Sequence, residues 1–192
     1  MHTIEPHYTW LQYYDPVRDP GSPFYGITHS ETECHATIYN YYIHPQWDEI
    51  GSPTLYVKLI YVNYGKQLAV IELMGEWNDV LHNDSMFLKR NLADPLIAQG
   101  IRFFILIGEN ILNFHSGDDD YYAEWTDETE DGWIALINIR DHVLYEFEHA
   151  RLGRYLMMGE AFNDVKWRIL HPLQLATWVN NQFPRRLKGQ HR

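Results

Sequence analysis

Residues 54–74 read TLYVKLIYVNYGKQLAVIELM: two runs of β-branched, aromatic and aliphatic residues, 54–64 and 67–74, on either side of Gly65-Lys66. Such runs around a short glycine-containing turn predict a β-hairpin. Downstream, Phe87, Leu88, Leu92, Leu96 and Ile97 recur at threes and fours before Gly100. That pattern predicts a helix over about 84–99, kinked or divided at Pro95. Residues 102–108 (RFFILIG) form a nearly unbroken apolar run, the kind found in strands buried on both faces. A helix over 119–129 follows, with Ser116 or Asp118 as its cap and acids in its first turn. Then come a second buried-type strand at 133–139 and an amphipathic helix at 141–152 with Val143, Leu144, Phe147 and Leu152 on one side. A short strand at 155–158 and a closing helix at 173–183 complete the chain.

The order β-β-α-β-α-β-α-(β)-α predicts an α/β (α+β-like) architecture, a mixed sheet of four to five strands with helices packed on it. Parallel strands are joined by crossovers, and the hairpin adds an antiparallel neighbour. Residues 1–34 show no period, are rich in Tyr, and are punctuated by Pro6, Pro16, Pro20 and Pro23, which predicts an arm lying over the core. An extra strand is expected at 35–43. We therefore expect an aromatic arm at 1–50 and the α/β unit at 51–192, as one structural domain.

The 192 residues carry 15 Lys and Arg against 26 Asp and Glu, a net charge of −11, with 45% hydrophobic residues. That apolar content is too high for a disordered chain. Cys34 is the only cysteine, so disulfides and CxxC-type zinc sites are excluded. The longest apolar run, 103–107, is far shorter than the ~20 residues of a membrane helix, and the start has no basic or apolar leader, so a cytoplasmic protein is expected. Nine acids and no Lys or Arg lie between Glu109 and Asp131, leaving 17 acids against 15 bases elsewhere. This patch repels phosphate backbones and suits either a solvated helix face or a basic partner. The tail Arg185, Arg186, Lys188 and Arg192 is too short to argue for nucleic acid.

Gly-Glu follows an apolar run three times, at Gly75-Glu76, Gly108-Glu109 and Gly159-Glu160. Ligands bind at the carboxyl ends of strands in open α/β sheets. Glu76, Glu109, His115 and Asp118 could therefore converge as a divalent-metal hydrolase site, or simply be solvated carboxylates. No GxSxG, HExxH, P-loop, GxGxxG or EF-hand loop is present, and no cofactor is expected.

Residues 67–156 resemble a STAS domain, the module shared by anti-sigma-factor antagonists and sulfate-transporter tails. Leu73-Met74-Gly75-Glu76-Trp77-Asn78-Asp79 is similar to that family's strand-end pattern, with one extra residue before Asp79. Asn113-Phe114-His115-Ser116-Gly117 falls where the family carries Asp-Ser-Ser/Thr-Gly at the start of a helix. Residues 133–138, 141–147 and 152–156 resemble the last strand, helix and closing turn. The resemblance implies a non-enzymatic regulatory domain that binds a protein partner. It departs at the phosphoacceptor: His115 stands there, Phe114 replaces the Asp, and Ser116 is the remaining hydroxyl. A phosphate on Ser116 would gain from the helix dipole but meet Asp118, Asp119 and Asp120. The expected working surface is Asn113, His115, Ser116, Asp118, Asp119, Asp120 and Tyr121, with Trp125 either an exposed anchor or an ordinary buried tryptophan, facing a partner with a basic surface. A homo-oligomer built on the N-terminal strand is a further possibility.

Overall fold

A computed structural model describes residues 2–30, 32–34 and 36–182. The strands in chain order are β1 (His2–Ile4), β2 (Thr37–Ile38), β3 (Tyr41–Ile43), β4 (Asp48–Glu49), β5 (Leu55–Asn63), β6 (Leu68–Asn78), β7 (Phe103–His115), β8 (Trp133–Ile137) and β9 (Leu156–Met157). The helices are α1 (Asp84–Leu88) and α2 (Asp94–Ala98) between β6 and β7, α3 (Asp120–Glu128), α4 (Asp141–His149) and α5 (Pro172–Asn180). No helix among the described residues is long and apolar enough to cross a membrane.

The predicted hairpin forms: β5 and β6 pair antiparallel, closed by a short helical turn in which Asn63 accepts the Lys66 N–H. The main sheet runs β4-β5-β6-β7-β8-β9, with β4, β5 and β6 antiparallel and the steps from β6 to β9 parallel. Its sixth strand, β4, is two residues long, too short to show a period. β6 and β7 also run past their expected ends at 74 and 108, to Asn78 and His115. Polar residues enter there, so the apolar run stops before the pairing does. Register shifts at Glu72/Met74 and Gly75/Glu76 accommodate this twisting extension. Gly75 makes it feasible: its φ is +117°, and a Cβ would lie 2.1 Å from the Thr54 carbonyl oxygen. Consequently Glu76 and Glu109 lie within strands, not just beyond them. β8 stops at Ile137 because Asn138 turns into the left-handed region, at φ 51°.

Alternation assigns the buried side chains to two faces. Leu55, Val57, Ala69, Ile71, Phe104 and Leu106 pack with Leu88, Leu92, Trp125, Val143 and Phe147 from the helices. Ile60, Val70, Ile105, Ile107 and Ile137 meet Trp10, Phe162, Trp167, Leu175 and Val179. The arm therefore covers the second face with α5 and the segment before it. Short β1, β2 and β3 make a second sheet, folding over Trp47, Tyr56 and Met74. The strand expected at 35–43 is split by a turn at Tyr39, whose φ is 52°.

Residues 84–98 are one helical run with a π-turn at Lys89–Ala93, ending two residues before Pro95. Proline has no N–H and its ring crowds the carbonyl four residues back, so widening the turn lets the helix continue. The π-turn buries the Lys89 ammonium against Asp94 and Glu128, with Glu124 at 3.8 Å, fastening the run to α3. At the other end of the chain, α5 begins with Pro172 and a capping box between His171 and Gln174. Phe183 and the basic tail lie outside the described residues.

Because Trp10 is fully buried on the second face, Trp10→Ala should cost about 3–5 kcal/mol in urea unfolding. A loss under 1 kcal/mol would mean that the arm is not part of the core.

Candidate functional site

The carboxyl ends of β6 and β7 open into two adjoining loops, 79–83 and 116–119. They are held backbone to backbone: the Asp79 N–H donates to the His115 carbonyl at 2.9 Å. A Cβ on Gly117 would come within 2.8 Å of the Asp79 carbonyl oxygen, so that approach requires glycine. Beneath the loops, two buried carboxylates bind across one another. Asp84 accepts the Asn78 N–H at 2.7 Å and the Thr54 hydroxyl at 3.2 Å. Asp79 accepts the Ser85 N–H at 2.7 Å, the Trp77 indole at 3.3 Å and the Tyr122 hydroxyl at 2.5 Å. Burial pushes both carboxyls above their ordinary range, with those hydrogen bonds pulling the other way.

This double tie holds the 79–83 loop with Val80 and Leu81 facing outward, 63% and 75% exposed. Beside them, Glu76 accepts hydrogen bonds from the Tyr39 hydroxyl at 2.6 Å and the Asn78 amide at 2.9 Å, and lies 3.3 Å from His115 Nε2. Partial burial pushes the Glu76 carboxyl up, but the donors outweigh it and hold the group below its ordinary value. Asn113 reaches the same imidazole at 3.1 Å.

Of the residues expected on the working surface, Asn113, His115, Ser116, Asp118 and Asp120 do lie on this rim, all but the half-buried Asn113 exposed. Three have other duties. Asp119 is the N-cap residue of α3, displacing Ser116 and Asp118 from the expected role, although its carboxylate pairs with Arg154 and the Tyr155 hydroxyl instead of capping. Tyr121 lies half-buried under the Arg90 guanidinium, 5.4 Å away. Trp125 is buried, not exposed: it packs edge-on against Phe104 at 5.1 Å, because α3 turns its apolar side to the sheet. Val80, Leu81 and Tyr39 were not anticipated. The one signal for the first two was an apolar pair, without helical phase, among the turn-forming residues Asn78, Asp79, His82 and Asn83.

The expected metal set does not converge. Glu76 meets His115, but Glu109 bonds Arg168 and the Trp167 indole. Among the described residues no group of three or more His, Cys, Asp or Glu side chains could hold a metal ion. β6 and β7 pair so that Glu76 stands opposite Asn113, four residues beyond Glu109, which keeps the two glutamates apart.

Glu109 instead belongs to a cluster under the arm. Glu72, fully buried, accepts the His7 N–H at 2.8 Å and has Arg168 at 3.7 Å, while the His7 ring is wedged against Trp10 and Trp167. Burial pushes the Glu72 carboxyl up to about 7, against the pull of His7 and Arg168.

No family model and no curated protein matches the sequence. Solved structures similar to it include the anti-sigma factor antagonist SpoIIAA in its unphosphorylated form, at 18% identity and a TM-score of 0.42, covering 57% of this chain and 89% of that one. A candidate anti-sigma factor antagonist from Thermotoga maritima is similar at 15% identity and a TM-score of 0.40, over 57% of this chain and 86% of that one. The Bacillus cell fate determinant SpoIIAA in its phosphorylated form gives 17%, 0.38, 57% and 92%.

The Glu72 cluster makes stability depend on pH. Its carboxyl holds a proton more tightly folded, at about 7, than at the ordinary 4.5, so its contribution is greatest below 4.5 and is lost as pH rises through 7. That loss is about 3 kcal/mol. Urea unfolding at pH 5 and pH 8 should show it in the native chain, and Glu72→Gln should flatten the difference. An equal slope in the variant would assign the effect to other groups.

Proposed function

We propose that the chain is a divergent STAS-type, non-enzymatic regulatory domain whose β6 and β7 exit loops dock a protein partner. The observation that carries this reading is the Val80–Leu81 pair, held outward by carboxylates at both ends of its loop. A loop that merely closed a strand-to-helix connection would gain nothing from exposing two aliphatic side chains. Fixing them in advance lowers the ordering cost of association. Around them Glu76, Asp118 and Asp120 supply negative charge, so the matching surface has an apolar socket with a basic rim. His115, Asn113 and Ser116 offer hydrogen bonds between the two. The sequence resemblance over residues 67–156 supports reading residues 113–117, on this rim, as the counterpart of the family's regulatory loop. Ser116 is the loop's hydroxyl, and phosphate there would deepen the negative field next to Asp118 and Asp120.

Capture from source-cell lysate at low salt should retain a specific partner on the native chain. Leu81→Asp should abolish that capture, and Asp118→Lys with Asp120→Lys should weaken it and reduce its salt dependence. Asp119 is left in place because it pairs with Arg154. Capture unchanged in both variants, with circular dichroism confirming that they fold, would overturn this choice of surface. Sedimentation of the native chain separates a different partner from self-association.

A further inference from the structure

On the rim, one imidazole nitrogen faces two groups that make opposite demands on it. His115 Nε2 lies 3.1 Å from the Asn113 amide nitrogen and 3.3 Å from Glu76 Oε1. An amide N–H needs a lone pair on that nitrogen, whereas a carboxylate needs an N–H. Both partners are fixed in role. Asn113 Oδ1 accepts the Phe114 N–H at 3.0 Å, which aims the NH2 group at the ring. Glu76 accepts from the Tyr39 hydroxyl and the Asn78 amide and is held below its ordinary value, so it stays ionised near neutral pH. Neutral His115 with its proton on Nδ1 therefore satisfies Asn113 and turns a lone pair toward Glu76. A proton on Nε2 satisfies Glu76 and displaces the Asn113 amide.

The second arrangement has a place for that amide. The Tyr39 hydroxyl oxygen lies within its hydrogen-bonding reach and keeps a lone pair free while donating to Glu76. The other titratable groups around the ring are His82 on the 79–83 loop, which acts on Glu76, the buried Asp79, and the exposed Asp118 and Asp120 beyond Ser116. The pair is also tied to the loop that carries Val80 and Leu81. The His115 carbonyl accepts the Asp79 N–H at 2.9 Å, and Asn78 donates to Glu76 Oε1 while accepting the Leu81 N–H at 2.9 Å.

We propose that His115 is a proton switch on this rim: neutral, its Nε2 accepts from Asn113, and protonated, it donates to Glu76 while Asn113 turns to Tyr39. Histidine is the side chain whose charge ordinarily changes between about pH 5 and 8. The added proton sets a positive charge beside Glu76 and offsets the negative field of the rim. Docking of a basic surface therefore weakens as pH falls. That consequence rests on the docking reading above, whereas the switch itself does not.

Long-range proton–nitrogen NMR of the free chain tests the switch. At pH 8 His115 should be the Nδ1–H tautomer, and at pH 5.5 doubly protonated, with the Asn113 side-chain amide and Tyr39 ring signals following the same midpoint. Glu76→Gln should move that midpoint down and Asn113→Ala should move it up, each by about half a pH unit, the scale of an exposed pair. An Nε2–H tautomer at pH 8 would overturn the proposal, as would Asn113 signals that do not move with His115. Both readouts come from the native chain, so neither depends on a variant folding. For docking, capture by the native chain should fall between pH 7.5 and pH 5.5, and His115→Gln should shrink that fall. Equal capture at the two pH values, with the switch seen in the free chain, would overturn the effect on docking and leave the switch standing.

Discussion

Strands β6 and β7 present apolar side chains to both sides: Ala69, Ile71 and Phe104 toward the helices, Val70, Ile105 and Ile107 away from them. Apolar surface left in water costs about 25 cal/mol per Å², so neither side can remain bare. The helices between the strands cover one face. The other is closed by elements from the two ends of the chain, Trp10 of the arm on one side and Trp167, Leu175 and Val179 on the other. This requirement explains why so irregular an arm is ordered at all. Successive turns, such as the Ser22 N–H on the Asp19 carbonyl and the Gly26 N–H on the Val17 carbonyl, shape it, and tryptophan and tyrosine packing hold it down.

Covering the second face also puts polar groups where water cannot follow. Glu72, His29, Asp48 and Lys58 are all enclosed between the arm and the sheet, and each must find its partners there. The arm therefore does more than seal the core: it creates the Glu72–His7–Arg168 and Asp48–His29–Lys58 clusters. The β6 and β7 exit loops follow a different logic. They stay at the surface, and their shape comes from Asp79 and Asp84 bonding across each other's backbone, with Tyr122 beneath. Apolar residues can stand outward on that loop because its conformation does not depend on burying them.

Much of this was legible in the residue order. The hairpin around Gly65-Lys66, the helix disturbed near Pro95 and the buried strands at β7 and β8 were readable, because each rests on local periodicity or on a residue with restricted backbone freedom. Strand ends were less so. β7 continues through Asn110, Asn113 and His115, whose pairing with β6 depends on neighbours distant in sequence. Trp125 was undecided for a related reason: a tryptophan in an acidic helix reads equally as an exposed anchor or a buried side chain until the sheet beneath the helix is known. Of the rim, the polar residues from Asn113 to Asp120 stood out by composition, whereas Val80 and Leu81 lacked any periodic context.

From the chain's letters alone came the element types, their order, the mixed sheet and the concentration of acid between Glu109 and Asp131, since these depend on propensity, pattern and charge within short windows. Tertiary structure decided which carboxylates meet. It sent Glu76 to His115, Glu109 to Arg168, and Asp48 to His29 and Lys58. Such pairings turn on ångström differences in strand register and on which distant segment covers each face, and no local pattern encodes either.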